Sequence, residues 1–296
     1  MTTVAVCSAK GSPGVTTLAC ALGAVWPADR RVMVAEFDPS GGDIAPRFGL
    51  SAKRGVTSLV LEARHSTGEE VDLEKHLQAL PGGLEVLVGP SGAAACRTVD
   101  AALPQCLPHL CARSRDVVID CGRIQPGAPG QIAALASSDE VLVVSRPTVE
   151  AVASTRWIAE RLNRGGSVPG GAAGRVGAQT RMAEAWLVVA GEGPVPASHA
   201  SDALGLRLLA EVREDRLGAA AFRGEAVKAW RLARCDLVLS VKLLLETLLA
   251  RDGVTEPRDE VGEPLAAESS GPTEPDPDLS PPAARITASN GRGAGR

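Results

Sequence analysis

Seven short runs of apolar residues recur along the first 212 positions, and none shows the strict apolar–polar alternation of a half-exposed strand. Such runs are typical of strands that helices cover on both faces of a mostly parallel sheet. Between them lie stretches with apolar residues at helical spacing, such as Thr16–Trp26 and Leu237–Ala250. The pattern predicts strands at about 3–8, 31–37, 84–88, 116–121, 140–145, 185–190 and 207–212.

This order of strands and helices predicts an α/β fold, a doubly wound, mostly parallel, seven-stranded sheet with helices on both faces. One such domain accounts for residues 1–251 without a second core. Residues 252–296 contain seven prolines, nine acidic residues and four arginines, with almost no apolar clustering. We expect a disordered tail there, because the segment cannot bury enough apolar surface to offset chain entropy. The glycine-rich stretch Asn163–Gly177 is predicted to be a surface insertion.

Charge and cysteine content narrow the class of protein. The net charge of −4 belongs to the acidic tail, so the predicted domain is nearly neutral. The seven cysteines include no C-x-x-C pair, and their number is odd, which predicts small buried residues of a cytoplasmic protein. Cys106, His109 and Cys111 lie close together, but no fourth zinc ligand is evident. No apolar run approaches the ~20 residues that a membrane span requires.

Residues 9–17, Ala-Lys-Gly-Ser-Pro-Gly-Val-Thr-Thr, form a candidate phosphate-binding loop. The loop follows the first strand and opens the first helix, where backbone N–H groups and a helix N-terminus hold phosphate. Compared with the pattern G-x-x-x-x-G-K-[ST], Ala9 replaces the first glycine and Val15 replaces the lysine, whereas Thr16 keeps the hydroxyl that binds magnesium. In a chain with 32 glycines, a turn without a ligand is the alternative.

Acidic residues follow two of the later predicted strands. Glu36 and Asp38 come after the second strand, in the segment Glu-Phe-Asp-Pro-Ser-Gly-Gly-Asp, and Asp120 ends the apolar run that begins at Asp116. Each has a simpler structural explanation, because Asp38 precedes a proline in a potential turn and Asp120 could cap the next turn. A metal-binding role requires that the fold bring them to the loop.

Taken in order, these segments resemble the ParA/MinD family of deviant Walker A P-loop ATPases over about residues 1–250. The family loop reads K-G-G-x-G-K-[ST]-T, and Lys10 stands at its early signature lysine. The resemblance implies that ATP and Mg²⁺ are the cofactors, with Lys10 and Asp38 as catalytic residues. It assigns the metal to Thr16, Asp38 and Asp120. The implied nucleotide-binding residues are Lys10, Gly11, Ser12, Pro13, Gly14, Val15, Thr16 and Thr17.

Val15 is the departure with the largest consequence. A P-loop lysine binds phosphate oxygens and offsets charge as the phosphoryl group leaves, and valine cannot do so. In the family, the signature lysine reaches the partner's nucleotide across a dimer, so Lys10 is expected to act only in a homodimer. We therefore expect weakened ATP binding and slow or absent hydrolysis by the monomer. Base recognition also differs, because Gly191-Glu192-Gly193-Pro194 stands where the family often has an asparagine, and Arg146 is either a base-pocket or a solvated loop residue.

The family implies an ATP-dependent dimeric switch in chromosome or plasmid partitioning or in cellular positioning. Its partners would be nonspecific DNA or a protein of partitioning or pilus machinery. A membrane partner is not expected, because the C-terminal segment is proline-rich and acidic rather than amphipathic. The candidate DNA contacts, which ordinary solvated helix faces would also explain, are Arg207, Arg213, Arg216, Arg223, Lys228, Arg231 and Arg234.

Two other functions are compatible with the same residues. One is a non-catalytic scaffold or regulator of polar localisation or of pilus or secretion assembly, similar to CpaE/TadZ proteins, which keeps the fold and dimer surface but not turnover. The other is a metabolic enzyme on the same architecture, for which no substrate-pocket motif is evident. Retention of Lys10, Thr16, Asp38 and Asp120 beside Val15 favours nucleotide binding over catalysis.

Overall fold

The computed structural model describes residues 1–10, 13–65, 71–111, 115–163 and 184–252. Three predictions fall outside these residues. They concern the tail after residue 252, the insertion after Asn163, and the loop residues Gly11 and Ser12.

The described chain alternates strands and helices in the order that the apolar pattern predicts. The strands are β1 (Thr3–Ser8), β2 (Val32–Glu36), β3 (Gln78–Ala79), β4 (Glu85–Leu87), β5 (Asp116–Arg123), β6 (Glu140–Ser145), β7 (Glu184–Ala190) and β8 (Arg207–Val212). The helices are α1 (Val15–Val25), α2 (Ile44–Phe48), α3 (Val56–His65), α4 (Ala93–Cys111), α5 (Pro129–Ala136), α6 (Val149–Asn163), α7 (Ala197–Leu204), α8 (Arg216–Ala221), α9 (Ala229–Leu232) and α10 (Asp236–Asp252). A 3₁₀ turn spans Leu73–Lys75.

The strands form one eight-stranded sheet in the order β3-β4-β2-β5-β1-β6-β7-β8. All neighbours run parallel except β3, which pairs antiparallel with β4 at the edge. The seven predicted strands are all present, and the α/β, mostly parallel architecture is confirmed. The eighth strand has only two residues, Gln78–Ala79, which are too few to give a periodic signal in the sequence.

Alternate residues of the central strands enter two separate cores, one on each face of the sheet. Val4 and Val6 of β1 pack toward α1 and α10, whereas Ala5 and Cys7 pack toward the helices of the other face, including α4. Both sets are fully buried. This double burial explains why β1 shows no apolar–polar alternation.

Helix α1 is fixed at its C-terminal end by a buried polar contact. The indole nitrogen of Trp26 donates to Asp116 Oδ2 at 2.7 Å, and Asp116 Oδ1 accepts from the backbone of Thr2 and from Arg30, each also at 2.7 Å. Asp116 begins β5, so this carboxylate joins the end of α1 to the starts of β1 and β5. The opposite end of α1 therefore meets the carboxyl ends of the same strands in a fixed position.

A second buried carboxylate, Glu36, organises the segment after β2. Its Oε1 accepts from the backbone nitrogens of Asp43 (2.6 Å) and Ile44 (3.0 Å), and its Oε2 accepts from Gly89 (2.8 Å). The pKa of Glu36 is raised to about 7, chiefly by burial and to a lesser extent by the charge of Asp120. The three N–H donors oppose this shift. Glu36 thus ties the start of α2 and the exit of β4 to the end of β2.

We expect Glu36→Ala to lower the free energy of unfolding by at least about 3 kcal/mol, because it leaves a cavity and three backbone N–H groups without their acceptor. Urea denaturation at pH 5 measures this change, because below its raised pKa of about 7 Glu36 is protonated in the folded protein and the substitution removes no buried charge. The control is Glu246→Ala on the exposed face of α10, which should change stability by less than about 0.5 kcal/mol. Equal effects of the two substitutions would contradict the structural role of Glu36.

Candidate functional site

The loop after β1 ends at Gly14, whose backbone is left-handed with φ of 91°. Glycine suits this conformation because a side chain would be strained there. Gly14 is the N-cap of α1, no side chain caps the helix, and no acidic residue lies in its first turn. The N–H groups in the first turn of α1 therefore face the loop, and no described side chain caps them. Free N–H groups at a helix N-terminus attract an anion.

Val15 is the first residue of α1, and its side chain belongs to the hydrophobic core, with 5% of the residue exposed. Thr16 and Thr17 follow on the same turn and are half-buried. Lys10 is exposed. It lies near Glu150 at the start of α6. Hydrogen bonds from the backbone of Glu150 and from Thr148 are the main causes of the lowered pKa of Glu150, and the charge of Lys10 makes a smaller contribution.

Asp38 lies against the end of β5. Its Oδ1 accepts from the backbone nitrogen of Ser40 at 2.7 Å. A Cβ atom at Gly122 would collide with its carboxylate, so only glycine fits there, with φ of 57°. Burial raises the pKa of Asp38, and backbone N–H groups of Ser40 and Arg123 oppose the shift. The fold therefore holds Asp38 in contact with the strand that carries Asp120.

Asp120 is completely buried at the end of β5. Its Oδ1 accepts from the backbone nitrogen of Gly122 at 2.9 Å, whereas Oδ2 has no hydrogen-bond partner among the described residues. The pKa of Asp120 is raised to about 6, chiefly by burial and to a lesser extent by Asp38. The nearby Thr16 hydroxyl and the Gly122 N–H oppose this shift. A buried carboxylate oxygen without a donor is costly, and a cation would relieve that cost.

The start of α1, Thr16 and Asp38 border one cavity of about 420 Å³ between the loop, the segment after β2 and the end of β5, and Asp120 is buried behind it. Mg²⁺ prefers carboxylate and hydroxyl oxygens, and the open carboxylate oxygen of Asp120 beside Thr16 and Asp38 fits such an ion. Ser8, whose hydroxyl is buried without a partner among the described residues, also lines this space. The described lining residues are Ser8, Pro13, Gly14, Val15, Thr16, Thr17, Asp38, Ser40, Gly41, Asp43, Arg47, Gly122 and Arg123.

A second cavity of about 870 Å³ begins on the other side of the loop, where it shares Pro13, Gly14 and Thr17 with the first. Arg146 lines it and pairs with Glu214 at 2.6 Å, so this arginine faces a cavity as well as solvent. The remaining described residues of its wall are Leu18, Val144, Ala190, Gly191, Glu192, Val212, Arg213, Asp215, Arg216, Ala219, Arg223, Asp236 and Leu237.

The seven basic candidates for DNA contact lie in three different local environments. Arg213, Arg216 and Arg223 line the second cavity. Arg207 pairs with Glu184 at 3.0 Å and lies over the ring of Trp186. The remaining three, which are exposed around α9, are Lys228, Arg231 and Arg234.

Two further expectations concern metals and membranes. Within the described ranges, no three His, Cys, Asp or Glu side chains are grouped as zinc ligands would be. The side chains of His109 and Cys111 lie outside the description. Six cysteines are free and buried, as expected for small core residues. Among the helices that the structure describes, none has the length and apolar character needed to cross a bilayer.

Comparison with known proteins identifies the fold. No protein-family model and no curated protein sequence matches the chain. Among solved structures, it is similar to the septum site-determining protein MinD of Pyrococcus horikoshii, in complex with Mg-ADP, with a TM-score of 0.65 and 17% identity over 86% of this chain and 98% of that one. A ParA family ATPase of Chlorobium tepidum gives a TM-score of 0.65 at 10% identity, covering 83% of this chain and 98% of that one.

A third similar structure is apo McdA of Cyanothece, with a TM-score of 0.60 and 16% identity over 84% of this chain and 99% of that one. Sequence identity is low in every case, so the similarity concerns architecture. The chain has the α/β fold of P-loop NTPases, in the form found in ParA and MinD proteins, as its strand and loop order predicts.

We expect Asp120→Asn to stabilise the protein without nucleotide or magnesium by about 1–3 kcal/mol at pH 7.5. The folded-state pKa of about 6 exceeds the ordinary 3.8. The folded protein therefore binds more protons between these values, and wild-type stability falls as pH rises through that window. Above pH 6 the wild type carries the full cost of the buried charge, which asparagine lacks.

Chemical denaturation between pH 4.5 and 8 measures this effect, with the exposed Asp202→Asn on α7 as the control. Asp120→Asn should also flatten the pH dependence, whereas the control should leave it unchanged. An Asp120→Asn protein with wild-type stability at every pH would contradict the buried charge.

Proposed function

We propose that this protein is a magnesium- and ATP-binding switch of the ParA/MinD type that acts in partitioning or cellular positioning, with weak or absent hydrolysis. One observation carries the proposal. The uncapped start of α1, Thr16 and Asp38 border a single cavity beside the loop, and the buried carboxylate of Asp120 lies next to Thr16 just behind its wall. Uncapped N–H groups suit phosphate, and the carboxylates suit its magnesium ion. The MinD structure in complex with Mg-ADP, to which the chain is similar, supports the same assignment.

The nucleoside would occupy the second cavity, which is continuous with the loop through Pro13, Gly14 and Thr17. Its wall contains both signs of charge, with Arg146 and Glu214 paired at 2.6 Å. Gly191 and Glu192 line it where the resemblance leads one to expect an asparagine. We infer that base recognition here relies on this charged wall rather than on a side-chain amide.

Weak hydrolysis follows from the environment of Val15. Its side chain packs in the core and brings no charge to the cavity. Lys10 is exposed and is not among the described residues that line either cavity. Lys10 would therefore contribute only to the nucleotide of a second copy, so that turnover, if present, requires a homodimer.

A non-catalytic scaffold or regulator is the second candidate, and the buried Val15 favours it specifically. Such a protein would keep the sheet and the dimer surface and assemble pilus, secretion or polar complexes without turnover. The two candidates differ in whether nucleotide changes the oligomeric state. We place both in the cytoplasm.

We expect wild-type protein to form a dimer in ATP and magnesium and to remain a monomer without them. Val15→Lys should raise hydrolysis by at least ~10-fold, because a lysine at this position stabilises the transferring phosphoryl group. Size-exclusion chromatography with light scattering measures the oligomeric state, and phosphate release measures turnover. Lys10→Ala should abolish the dimer, while Lys53→Ala on the exposed chain before α3 is the matched control. A wild-type monomer under every condition would favour the scaffold.

A second experiment tests DNA as the partner. The exposed residues Lys228, Arg231 and Arg234 are the basic candidates that do not line the second cavity or stack on Trp186. Arg231→Glu combined with Arg234→Glu should abolish a salt-sensitive shift of plasmid DNA, because phosphate contacts dominate nonspecific binding. Lys53→Glu combined with Arg64→Glu, at two exposed positions in and before α3, is the control for net charge. An unchanged shift in the double variant would exclude this surface.

A further inference from the structure

Two arginines outside the sequence motif, Arg47 and Arg123, line the cavity beside the loop, and Arg47 is the less exposed of the two. Arg47 lies on the short helix α2, whose residues Ile44 and Ala45 pack in the same core as Val15. Its side chain lines the 420 Å³ cavity together with Val15 and Thr16. Arg47 therefore borders the space that a lysine at position 15 would serve.

The guanidinium of Arg47 is largely withdrawn from solvent, with 23% of the side chain exposed. Its Nη2 contacts Asp43 Oδ2 at 2.5 Å, whereas its Nη1 is buried with no hydrogen-bond partner in the part of the chain that the structure describes. A guanidinium has five N–H donors in a planar fork, so one carboxylate on one side leaves donors available on the other. A buried, unsatisfied cationic donor beside a phosphate-type cavity suits an anionic ligand.

We propose that Arg47 supplies, within a single chain, the positive charge toward nucleotide phosphates that Val15 cannot supply. The inference rests on the proposed function, since it concerns the same Mg-ATP site. It makes Arg47 a phosphate-binding residue that acts in the monomer, in contrast to Lys10. Arginine suits this role because its fork holds phosphate oxygens in pairs while Asp43 orients the other edge.

The test compares Mg-ATP and Mg-tripolyphosphate binding by the full-length chain, using isothermal titration calorimetry. Arg47→Gln keeps hydrogen-bonding capacity but removes the charge, and it should weaken binding of both ligands by about 10- to 100-fold, the range for hydrogen bonds to charged groups. Arg47→Lys should retain most of the affinity. Arg64→Gln, on the exposed end of α3, is the matched control and should have no effect.

Two measurements separate a charge role from a structural one. The affinity of wild-type protein should fall with added salt, and Arg47→Gln should reduce that dependence, because one fewer cation faces the phosphates. Val15→Lys should restore affinity in the Arg47→Gln background and raise it by a larger factor there than in the wild type, whereas a merely structural arginine would give the same factor in both backgrounds. Melting temperatures without ligand show whether each variant is folded, and Arg47→Lys keeps the comparison valid if Arg47→Gln is not.

The outcomes distinguish the two proposals. Wild-type affinity in Arg47→Gln, or loss of binding that Val15→Lys does not restore, overturns the role of Arg47 and leaves Mg-ATP binding at the loop intact. Failure of the wild type itself to bind Mg-ATP at millimolar concentration overturns the proposed function and this inference with it.

Discussion

Three carboxylates lie close together beside the loop, with Glu36 and Asp120 fully buried and Asp38 half-buried, and the fold has to hold their charge without a lysine at position 15. Glu36 is held by three backbone N–H groups, Asp38 by the nitrogens of Ser40 and Arg123, and Asp120 by that of Gly122. These donors do not cancel the cost of burial, because the pKa values of all three carboxyls are raised. The backbone N–H groups that face this cluster come mainly from the segment after β2 and from the end of β5, so the charge of the cluster determines how these two segments lie. A cation would lower the remaining electrostatic cost.

The side chain at position 15 affects both the electrostatic cost of the carboxylates and the extent of the hydrophobic core. A lysine at the first residue of α1 would bring a cation to the carboxylates, whereas valine extends the apolar core to the helix terminus. The backbone chemistry of the loop is unaffected, since N–H groups and a left-handed Gly14 do not depend on the next side chain. The uncapped start of α1 and the compensation of the carboxylate charge thus depend on different groups, and only the second involves residues outside the loop.

The sequence predicts the fold well because its strands are buried on both faces and give unbroken apolar runs. The loop and Asp120 are also predictable, since each stands directly at the end of such a run. Arg47 is not, because it lies on a five-residue helix beyond the motif and its orientation depends on how α2 packs against α1. The same holds for Arg213 and Arg223, whose place in the second cavity depends on how β8 and α8 meet the loop. Contacts between distant segments leave no local periodicity to read.

The contact between Trp26 and Asp116 fixes one wall of the cavity. Because α1 is anchored at its far end to β5, and its body lies in the core, the N–H groups at its start keep one position relative to the end of β5. The opposite wall, the segment after β2, is joined to the sheet by different groups, the carboxylate of Glu36 and the backbone nitrogens of Asp43, Ile44 and Gly89. The two walls are therefore held independently of each other, and a substitution that loosens one leaves the anchor of the other in place.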